Sequence, residues 1–289
     1  MQFLKLIRAK HWVKNGLVLF PYLFSAAPVS EWGGGACAFL AFSLAASVVY
    51  IVNDIRDADA DRLHPIKCGR PIASGAIDPK VAMVVASVFL ALSVVLSVAF
   101  SVEPLIATAI VLCYLLINMA YSFGLKNHPL VDVSIVAIGF LLRILYGGAF
   151  GGIEVSPWLF LTVTSFSFYL ALGKRRGEMK EVGTGSRKSL EKYTISFLDG
   201  SMHVFLSCTL VFYSLWATSQ SKAQPFFEIF FFVSILLVMF VCMRYSFLVD
   251  ATPSDGDPVG VLLADKGLLI LAAAWLLCML IPLYGVPAL

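Results

Sequence analysis

The sequence contains few charged residues. Asp, Glu, Lys and Arg together make up only 13% of the 289 residues, whereas 60% are hydrophobic. Soluble domains usually carry about 25% charged residues. The composition therefore argues against a soluble protein and favours a polytopic membrane protein. No linker, low-complexity segment or soluble domain interrupts this pattern, so residues 1–289 are predicted to form a single membrane domain, and no nucleic-acid partner is expected.

The patterns typical of disulfides and zinc sites are also missing. The six Cys residues form no Cys-x-x-Cys pair and have no His partner at ligand spacing. Five of them lie in apolar runs, where Cys commonly packs as a small hydrophobic residue. Neither disulfides nor a zinc site is therefore implied. The first apolar run is not followed by a small-residue cleavage site, so a cleaved signal is not expected.

Long apolar runs make up most of the chain. Nine runs are each about as long as a bilayer requires, and the first is the shortest. They lie near residues 16–30, 35–53, 81–100, 105–122, 129–150, 157–173, 199–219, 225–248 and 262–284. All nine are predicted to be helices, because an isolated strand leaves its backbone groups unpaired in lipid. The expected fold is an all-α integral membrane protein with nine transmembrane helices in a bundle.

The distribution of Lys and Arg predicts the orientation of these helices. If successive loops are assigned to opposite sides of the membrane, the set of loops on one side carries all but three of the 21 Lys and Arg residues. Of these three, Lys222 lies in the other set, and Arg143 and Arg244 lie inside apolar runs. Positive residues accumulate in cytoplasmic loops. The N-terminus and the long loops 54–80 and 174–198 are therefore predicted to face the cytoplasm. The protein is predicted to lie in the inner (cytoplasmic) membrane.

Acidic residues are concentrated directly after the second apolar run, at Asp54, Asp57, Asp59 and Asp61. At about 100° per residue, all of these except Asp59 share one helix face with Asn53. Carboxylates so close together repel each other unless a cation lies between them. Oxygen ligands without His or thiolate suit Mg²⁺, which often shares its coordination shell with substrate phosphates. The pattern predicts a Mg²⁺ site; the alternative is a solvated acidic helix end.

Basic and polar residues at the same cytoplasmic boundary are candidates for contacts with substrate. Arginine forms paired hydrogen bonds with phosphate oxygens, and lysine acts as a point charge. The candidate substrate-binding residues at this boundary are Lys14, Arg70, Tyr121, Lys126, Lys174, Arg175 and Lys188. Asp132, at the start of the fifth run, is a further candidate. In each case the alternative is a membrane anchor or a contact with lipid head groups.

Arg143 is a separate case, because it lies inside an apolar run. It follows Asp132 by 11 residues, which places it about 16 Å deeper along a helix. A charge at this depth is expected to face the interior of the bundle and to find a partner there. Arg143 is therefore a candidate substrate-binding residue for a lipid phosphate, with a purely structural role as the alternative.

The pattern Asn53-Asp54-x-x-Asp57-x-x-x-Asp61 after a membrane span resembles the first aspartate-rich motif of the UbiA-type intramembrane prenyltransferases. The resemblance covers the whole chain. Members of that family usually carry a second aspartate-rich motif after span six, where this chain has the basic segment 174–178. Six stretches resemble the decaprenyl-phosphate phosphoribosyltransferase branch of the family. They are 11–15, 53–61, 121–126, 140–143, 173–175 and 187–193.

The resemblance implies a Mg²⁺-dependent transferase. It would move the 5-phosphoribosyl group from phosphoribosyl diphosphate to a polyprenyl phosphate, with Asp54, Asp57 and Asp61 as catalytic residues and Asn53 as a further metal ligand. One alternative is prenyl transfer from a polyprenyl diphosphate to an aromatic or other small acceptor. Another is a lipid transporter that uses Arg143 and the aspartates. A homo-oligomer is compatible with the sequence, which does not fix the oligomeric state.

Overall fold

A computed structural model describes residues 2–63, 67–182, 189–223, 225–251 and 257–285 of the protein. Regular secondary structure in these ranges is entirely helical. The α-helices are α1 (Gln2–Leu6), α2 (Phe20–Phe24), α3 (Trp32–Arg56), α4 (Ala58–Arg62), α5 (Pro79–Phe100), α6 (Pro104–Ser122), α7 (Val131–Gly151), α8 (Pro157–Val182), α9 (Ile195–Ala223), α10 (Glu228–Ala251), α11 (Pro258–Ala264) and α12 (Lys266–Tyr284).

Among the described residues, seven helices are long and apolar enough to cross a membrane. They are α3 and α10, each with the short 3₁₀-turn that precedes it, and α5, α6, α7, α9 and α12. The last predicted run, 262–284, is not one continuous helix. It is interrupted at Asp265, which lies between the end of α11 and the start of α12. The Asp265 carboxylate accepts a hydrogen bond from the backbone N–H of Leu268 and so caps the first turn of α12.

The first predicted span, 16–30, differs from the single helix expected. A 3₁₀-helix covers Ala9–Leu19, and α2 adds only five residues before the chain turns. Two prolines limit the regular helix in this run. Pro21 has no N–H to donate to a preceding carbonyl, and Pro28 restricts the residue before it to extended backbone.

Helix α8 also departs from the prediction, because it continues to Val182 instead of ending at residue 173. Its last turns contain the charged sequence Lys-Arg-Arg-Gly-Glu-Met-Lys. The end of an apolar run marks the edge of the bilayer, but it does not end a helix whose charged residues have partners. Arg175 and Glu178, three residues apart on α8, form one such ion pair.

The chain was predicted to form a single membrane domain but divides into two compact units. Unit 1 consists of Met1–Phe123 and Leu142–Val155, and unit 2 consists of Gly124–Leu141 and Ser156–Leu289. Each unit has its own cluster of buried hydrophobic residues. The boundary falls within α7, so this helix contributes its first part to unit 2 and its second part to unit 1.

Small residues allow close helix packing in unit 1. Ala38, Ala41 and Ala45 of α3 and Ala86 of α5 are almost completely buried. Gly147 of α7 permits a still closer approach, because a Cβ atom at this position would lie 2.0 Å from the carbonyl oxygen of the 3₁₀-helix residue Val18. The 3₁₀-helix is thereby held against the part of α7 that carries Arg143.

The core of unit 2 is built on the packing of α8, α9 and α10. Tyr169 and Leu172 of α8, Leu198 of α9 and Cys242 of α10 are buried together. The hydroxyl of Tyr169 donates a hydrogen bond of 2.7 Å to the carbonyl oxygen of Cys242. A buried hydroxyl with a partner avoids the cost of an unpaired polar group. This packing fixes the position from which the charged end of α8 extends.

Candidate functional site

The acidic segment keeps helical spacing even though α3 ends at Arg56. Asp57 joins α3 to α4, and its N–H donates to the carbonyl oxygen of Asn53 at 2.9 Å. The N–H of Asp61 donates in turn to the carbonyl oxygen of Asp57 at 2.8 Å. Asp54 and Asp61 are therefore about two helical turns apart along one face. Asp59 points away from that face and is exposed.

Two of the acidic side chains are buried and converge on one arginine. Asp54 is only 2% exposed and Asp61 only 4% exposed. The Nη1 atom of Arg70 lies 3.1 Å from Oδ1 of Asp54 and 2.6 Å from Oδ2 of Asp61. Buried carboxylates need a nearby positive charge, because they lose their hydration. The Arg70 guanidinium supplies that charge at the point where the two carboxylates meet.

The loop that carries Arg70 is anchored in the core of unit 1. A 3₁₀-turn at Lys67–Gly69 precedes it, and the Arg70 N–H donates to the carbonyl oxygen of Lys67. Two residues further along, Ile72 is buried in the hydrophobic cluster of unit 1. The loop thus holds the guanidinium over the acidic face. The prediction that Arg70 contacts a phosphate is untested by this arrangement, which has the side chain bound to carboxylates.

Arg8 is a second cation at the acidic face, and sequence reasoning missed it. Its Nη2 atom lies 2.6 Å from the same Asp54 oxygen that Arg70 contacts. Arg8 also lies over the ring of Tyr50, with its guanidinium carbon 4.9 Å from the ring centroid. In the sequence it is one of several basic residues near the N-terminus, a pattern that lipid contact explains equally well. No local signal separates Arg8 from its neighbours.

Asn53 and Asp57, the other two predicted metal ligands, are partly exposed. The carboxylate of Asp57 faces Arg56, whose Nη2 atom lies 2.9 Å away. Arg56 also donates to the carbonyl oxygen of Ser122. The Asp57 side chain would therefore have to leave Arg56 to join the other two carboxylates.

The atoms at this face that could coordinate a metal are suited to a hard divalent cation. The described residues contain no preformed cluster of three or more His, Cys, Asp and Glu side chains. Asp54 and Asp61 nevertheless lie within hydrogen-bond distance of one positively charged nitrogen, and every donor is an oxygen. Mg²⁺ is commonly held by one or two carboxylates together with substrate phosphates, and not by a complete protein cage. Arg70 occupies the position where such a cation would neutralise both carboxylates.

Three further residues that were predicted to contact substrate are partly buried. Lys14 lies on the 3₁₀-helix, and Tyr121 lies in the last turn of α6, both in unit 1. Lys126 belongs to unit 2, on a short 3₁₀-turn at Leu125–Asn127. All three have partners within the protein. Their roles as substrate contacts remain predictions.

Arg143 is buried in unit 1 among neutral polar and aromatic groups. Its Nε atom donates to Oδ1 of Asn15 at 2.8 Å, and its Nη2 atom donates to the hydroxyl of Tyr114 at 3.2 Å. The guanidinium carbon lies 5.2 Å from the ring centroid of Phe42 and 5.0 Å from that of Tyr114. Asn15 is itself fixed by a hydrogen bond to Ser43. Cation–π contacts and hydrogen bonds of this kind stabilise a buried charge.

Unit 2 contains a buried cluster around Asp132, which is 0% exposed. The Nε atom of Arg175 lies 2.9 Å from Oδ2 of Asp132, and Arg175 also pairs with Glu178. The hydroxyl of Tyr193 donates to Oδ1 of Asp132 at 2.7 Å, and Ser189 contacts Oδ2 at 3.3 Å. Arg175, predicted to bind substrate, is thus only 2% exposed and is shared between two carboxylates. This cluster ties the end of α8 to the segment 189–193.

Tyr193 closes this cluster on its other side. Its hydroxyl accepts a hydrogen bond of 2.7 Å from the backbone N–H of Leu130. Burial raises the pKa of Tyr193, so the phenol stays protonated and continues to donate to Asp132 at neutral pH. Leu130 has a φ of 66°, a left-handed conformation that is uncommon for a residue with a branched side chain. The bond from its N–H helps to hold this turn in place.

The remaining cations at the end of α8 also face carboxylates. Lys174 lies 3.2 Å from Oδ1 of Asp257 and is 28% exposed at its side chain. Arg176 pairs with Asp250 at 2.8 Å, and Lys180 contacts the same carboxylate at 2.7 Å. The predicted substrate residue Lys188 lies outside the described residues. The described cations of the basic segment are therefore neutralised in large part by Asp199 of α9, Asp250 of α10 and Asp257, which precedes α11.

The chain is similar to a known family over most of its length. The UbiA prenyltransferase family matches residues 16–260. The decaprenyl-phosphate phosphoribosyltransferase of Corynebacterium glutamicum is 34% identical over 301 residues, covering 98% of this chain and 87% of that protein. The protein of the same name from Mycobacterium tuberculosis is 36% identical over 287 residues, covering 94% of this chain and 91% of that protein.

Solved structures share the fold. The structure of a UbiA homologue from Archaeoglobus fulgidus bound to GPP and Mg²⁺ aligns with a TM-score of 0.72 at 18% identity, covering 98% of this chain and 99% of that one. The digeranylgeranylglyceryl phosphate synthase structure aligns with a TM-score of 0.70 at 19% identity, covering 99% of this chain and 98% of that one. Together with the apolar helices, the family match over residues 16–260 shows that this integral membrane protein belongs to the UbiA prenyltransferase family.

Proposed function

We propose that this protein transfers the 5-phosphoribosyl group from phosphoribosyl diphosphate to a polyprenyl phosphate and releases diphosphate. The observation that carries the proposal is the convergence of the buried carboxylates of Asp54 and Asp61 on Arg70. The names of relatives that match nearly the whole chain support the same reaction. The proposal includes nine membrane spans, a cytoplasmic N-terminus and an active site that faces the cytoplasm from the inner membrane.

The donor diphosphate would bind at the acidic face with Mg²⁺. We assign the metal ligands to Asn53, Asp54, Asp57 and Asp61. When bound, the metal would neutralise the negative charge that accumulates on the departing diphosphate. Arg70 would then move from the two carboxylates to the phosphate oxygens, where its planar fork can form paired hydrogen bonds. The same arginine would neutralise the two carboxylates in the unliganded protein and the diphosphate in the liganded protein.

The transfer exchanges one C–O bond for another. The bond between the ribosyl C1 and the diphosphate oxygen breaks, and its electron pair leaves with diphosphate. An oxygen of the lipid phosphate forms the new bond to C1, which carries positive charge in the transition state. That oxygen is already anionic at neutral pH, so no strong general base is required. The residues contribute chiefly by positioning the two substrates and by stabilising the leaving group.

The donor 5-phosphate and the lipid phosphate require further cationic and hydrogen-bonding groups. We assign Lys14, Tyr121, Lys126, Lys174 and Lys188 to these contacts without dividing them between the two phosphates. Of the two lysines from the predicted loop 174–198, Lys174 and Lys188, we favour Lys174, which lies on α8, because its side chain is partly exposed and bound to a carboxylate that a phosphate could replace.

Arg143 and Arg175 would have different roles. Arg143 donates to Asn15 and Tyr114, and we propose that it also contacts the lipid phosphate, because a charge at this depth faces the interior of the bundle and marks a substrate path. Arg175 is committed to Asp132 and Glu178. We therefore propose that Arg175 is a positioning residue, which holds the segment 189–193 through Asp132, and not a direct phosphate ligand.

The basic residues at the end of α8 favour phosphoribosyl transfer over ordinary prenyl transfer. A prenyl transferase of this family would be expected to carry a second acidic metal motif at the end of α8. This chain has Lys174, Arg175 and Arg176 there, each facing carboxylates from elsewhere in unit 2. An acceptor that is itself a phosphate needs cations, whereas an aromatic acceptor does not.

Purified protein in lipid nanodiscs tests the proposal. With Mg²⁺, phosphoribosyl diphosphate and decaprenyl phosphate, we expect release of diphosphate and formation of a phosphoribosylated lipid, both lost on addition of EDTA. The Arg62→Gln variant is a matched control, because Arg62 pairs with the exposed Asp59 and does not contact the buried carboxylates. Turnover with a prenyl diphosphate and an aromatic acid, and none with the proposed pair, would contradict the proposal.

A further inference from the structure

Arg8 contacts the most buried carboxylate of the acidic face, although neither the sequence motif nor the family resemblance assigns it a role. Its Nη2 atom and the Nη1 atom of Arg70 both bind Oδ1 of Asp54, at 2.6 and 3.1 Å. A carboxylate oxygen that accepts from two guanidinium groups has its charge well satisfied. A divalent cation can bind this oxygen only if at least one of the two arginines moves away.

Arg8 is held at this position by the backbone around it. The residue has φ 49° and ψ 49°, the left-handed conformation, at the junction between α1 and the 3₁₀-helix. The carbonyl oxygen of the preceding residue, Ile7, accepts a hydrogen bond of 3.0 Å from the hydroxyl of Ser47 on α3. Trp12, four residues later, donates to the same hydroxyl at 3.1 Å. Ser47 thus fixes the chain on both sides of Arg8.

The side chain nevertheless remains able to move. It is 21% exposed, and its other described contact is the face of the Tyr50 ring. A cation–π contact of this kind tolerates sliding of the guanidinium across the ring. The backbone is therefore fixed, whereas the charged end can turn from Asp54 toward a ligand placed over the acidic face.

We infer that Arg8 is a further residue of the donor site and exchanges partners when the donor binds. In the unliganded protein it neutralises Asp54 and competes with a divalent cation for that carboxylate. When the cation and a diphosphate bind together, the freed guanidinium binds a diphosphate oxygen. This inference rests on the proposed function, because the diphosphate is the donor group assigned to the acidic face.

The exchange makes two predictions of opposite sign for Arg8→Gln. Binding of Mn²⁺ alone should tighten, by about tenfold, since the removed charge-assisted hydrogen bond competes for the same oxygen. Binding of inorganic diphosphate in saturating Mn²⁺ should weaken, again by about tenfold, since one phosphate contact is lost. A merely structural role would shift both affinities in the same direction or leave both unchanged.

Electron paramagnetic resonance of Mn²⁺ and calorimetry of diphosphate binding, on the full chain in nanodiscs, measure the two affinities. Arg62→Gln is the matched control, because it removes the same charge from the neighbouring helix α4 without touching Asp54. We expect both of its affinities to stay within about twofold of wild type, since an exposed pair contributes little. If Arg8→Gln leaves Mn²⁺ affinity unchanged or lower, or leaves diphosphate affinity unchanged, the inference is overturned.

One further measurement keeps the test decisive if Arg8→Gln folds poorly. In wild-type protein, hydrogen exchange at the Arg8 guanidinium, followed by nitrogen-15 NMR, should speed up with Mg²⁺ alone and slow again when diphosphate is added; unchanged exchange would overturn the inference. If wild-type protein binds neither Mn²⁺ nor diphosphate, the proposed function fails as well. If wild type binds both and Arg8→Gln behaves like Arg62→Gln, only the role of Arg8 is lost.

Discussion

Replacement of Asp132 by asparagine is the most direct test of the buried cluster in unit 2. Asp132 is 0% exposed and contacts Arg175, Tyr193 and Ser189. Asp132→Asn keeps the size of the side chain and one acceptor oxygen but removes the negative charge. The cluster joins α7, the end of α8 and the segment 189–193. The change should therefore lower the stability of unit 2 without creating a cavity.

The expected magnitude follows from the contacts. Removing one partner of a buried ion pair typically costs about 3–5 kcal/mol. In this cluster Glu178 remains as a partner for Arg175, and the amide oxygen can still accept from Tyr193. We therefore expect a loss at or just below the lower end of that range, about 2–3 kcal/mol. For a protein of this size such a loss lowers the melting temperature by roughly 4–12 °C.

Thermal unfolding in one detergent, followed by tryptophan fluorescence, measures this effect. Asp59→Asn is the matched control, because the Asp59 side chain is 94% exposed and pairs only at the surface with Arg62 in the described contact. Its melting temperature should fall by less than about 2 °C, since exposed ion pairs contribute little. Equal melting temperatures for Asp132→Asn and Asp59→Asn would refute the claim that the cluster holds unit 2 together.

Three other variants test the proposed site. Asp61→Asn should abolish detectable turnover in the nanodisc assay while the protein elutes as a folded species in detergent, because it removes one of the two buried carboxylates; near-normal rates would mean that this acid is not a metal ligand. Lys174→Ala should raise the KM for one phosphate substrate by about tenfold, the effect expected for a lost charge-assisted contact, and an unchanged KM for both substrates would exclude the contact. Arg143→Lys should raise the KM for the lipid phosphate more than that for phosphoribosyl diphosphate, because lysine keeps the charge but loses the fork; equal changes in both would favour a purely structural role.

The sequence was sufficient to predict the features that depend on local spacing. Seven of the nine apolar runs coincide with described helices that are long and apolar enough to cross a membrane, because that length is a property of each segment alone. Asp54 and Asp61 could be placed on one face, since seven residues make about two helical turns. The exposure of Asp59 followed from the same argument. The family resemblance likewise rested on residues that are close together in the chain.

Features that depend on long-range packing could not be predicted. Arg8 lies 46 positions before Asp54, and nothing in a basic N-terminal segment indicates which cation will reach an acid. The charge of Arg175 fits a phosphate and a carboxylate equally well, and only the fold brings Asp132 to it. The irregular first span reflects two prolines whose combined effect on a short apolar run is not fixed by hydropathy.

A structure of the protein with Mn²⁺ and phosphoribosyl diphosphate tests the central claim most directly, with the metal located by anomalous scattering. The account predicts a Mn²⁺ peak between the carboxylates of Asp54 and Asp61, with the diphosphate on the metal and Arg70 turned from the acids to the phosphate. A donor bound elsewhere, with Arg70 still joining the two carboxylates, would contradict it.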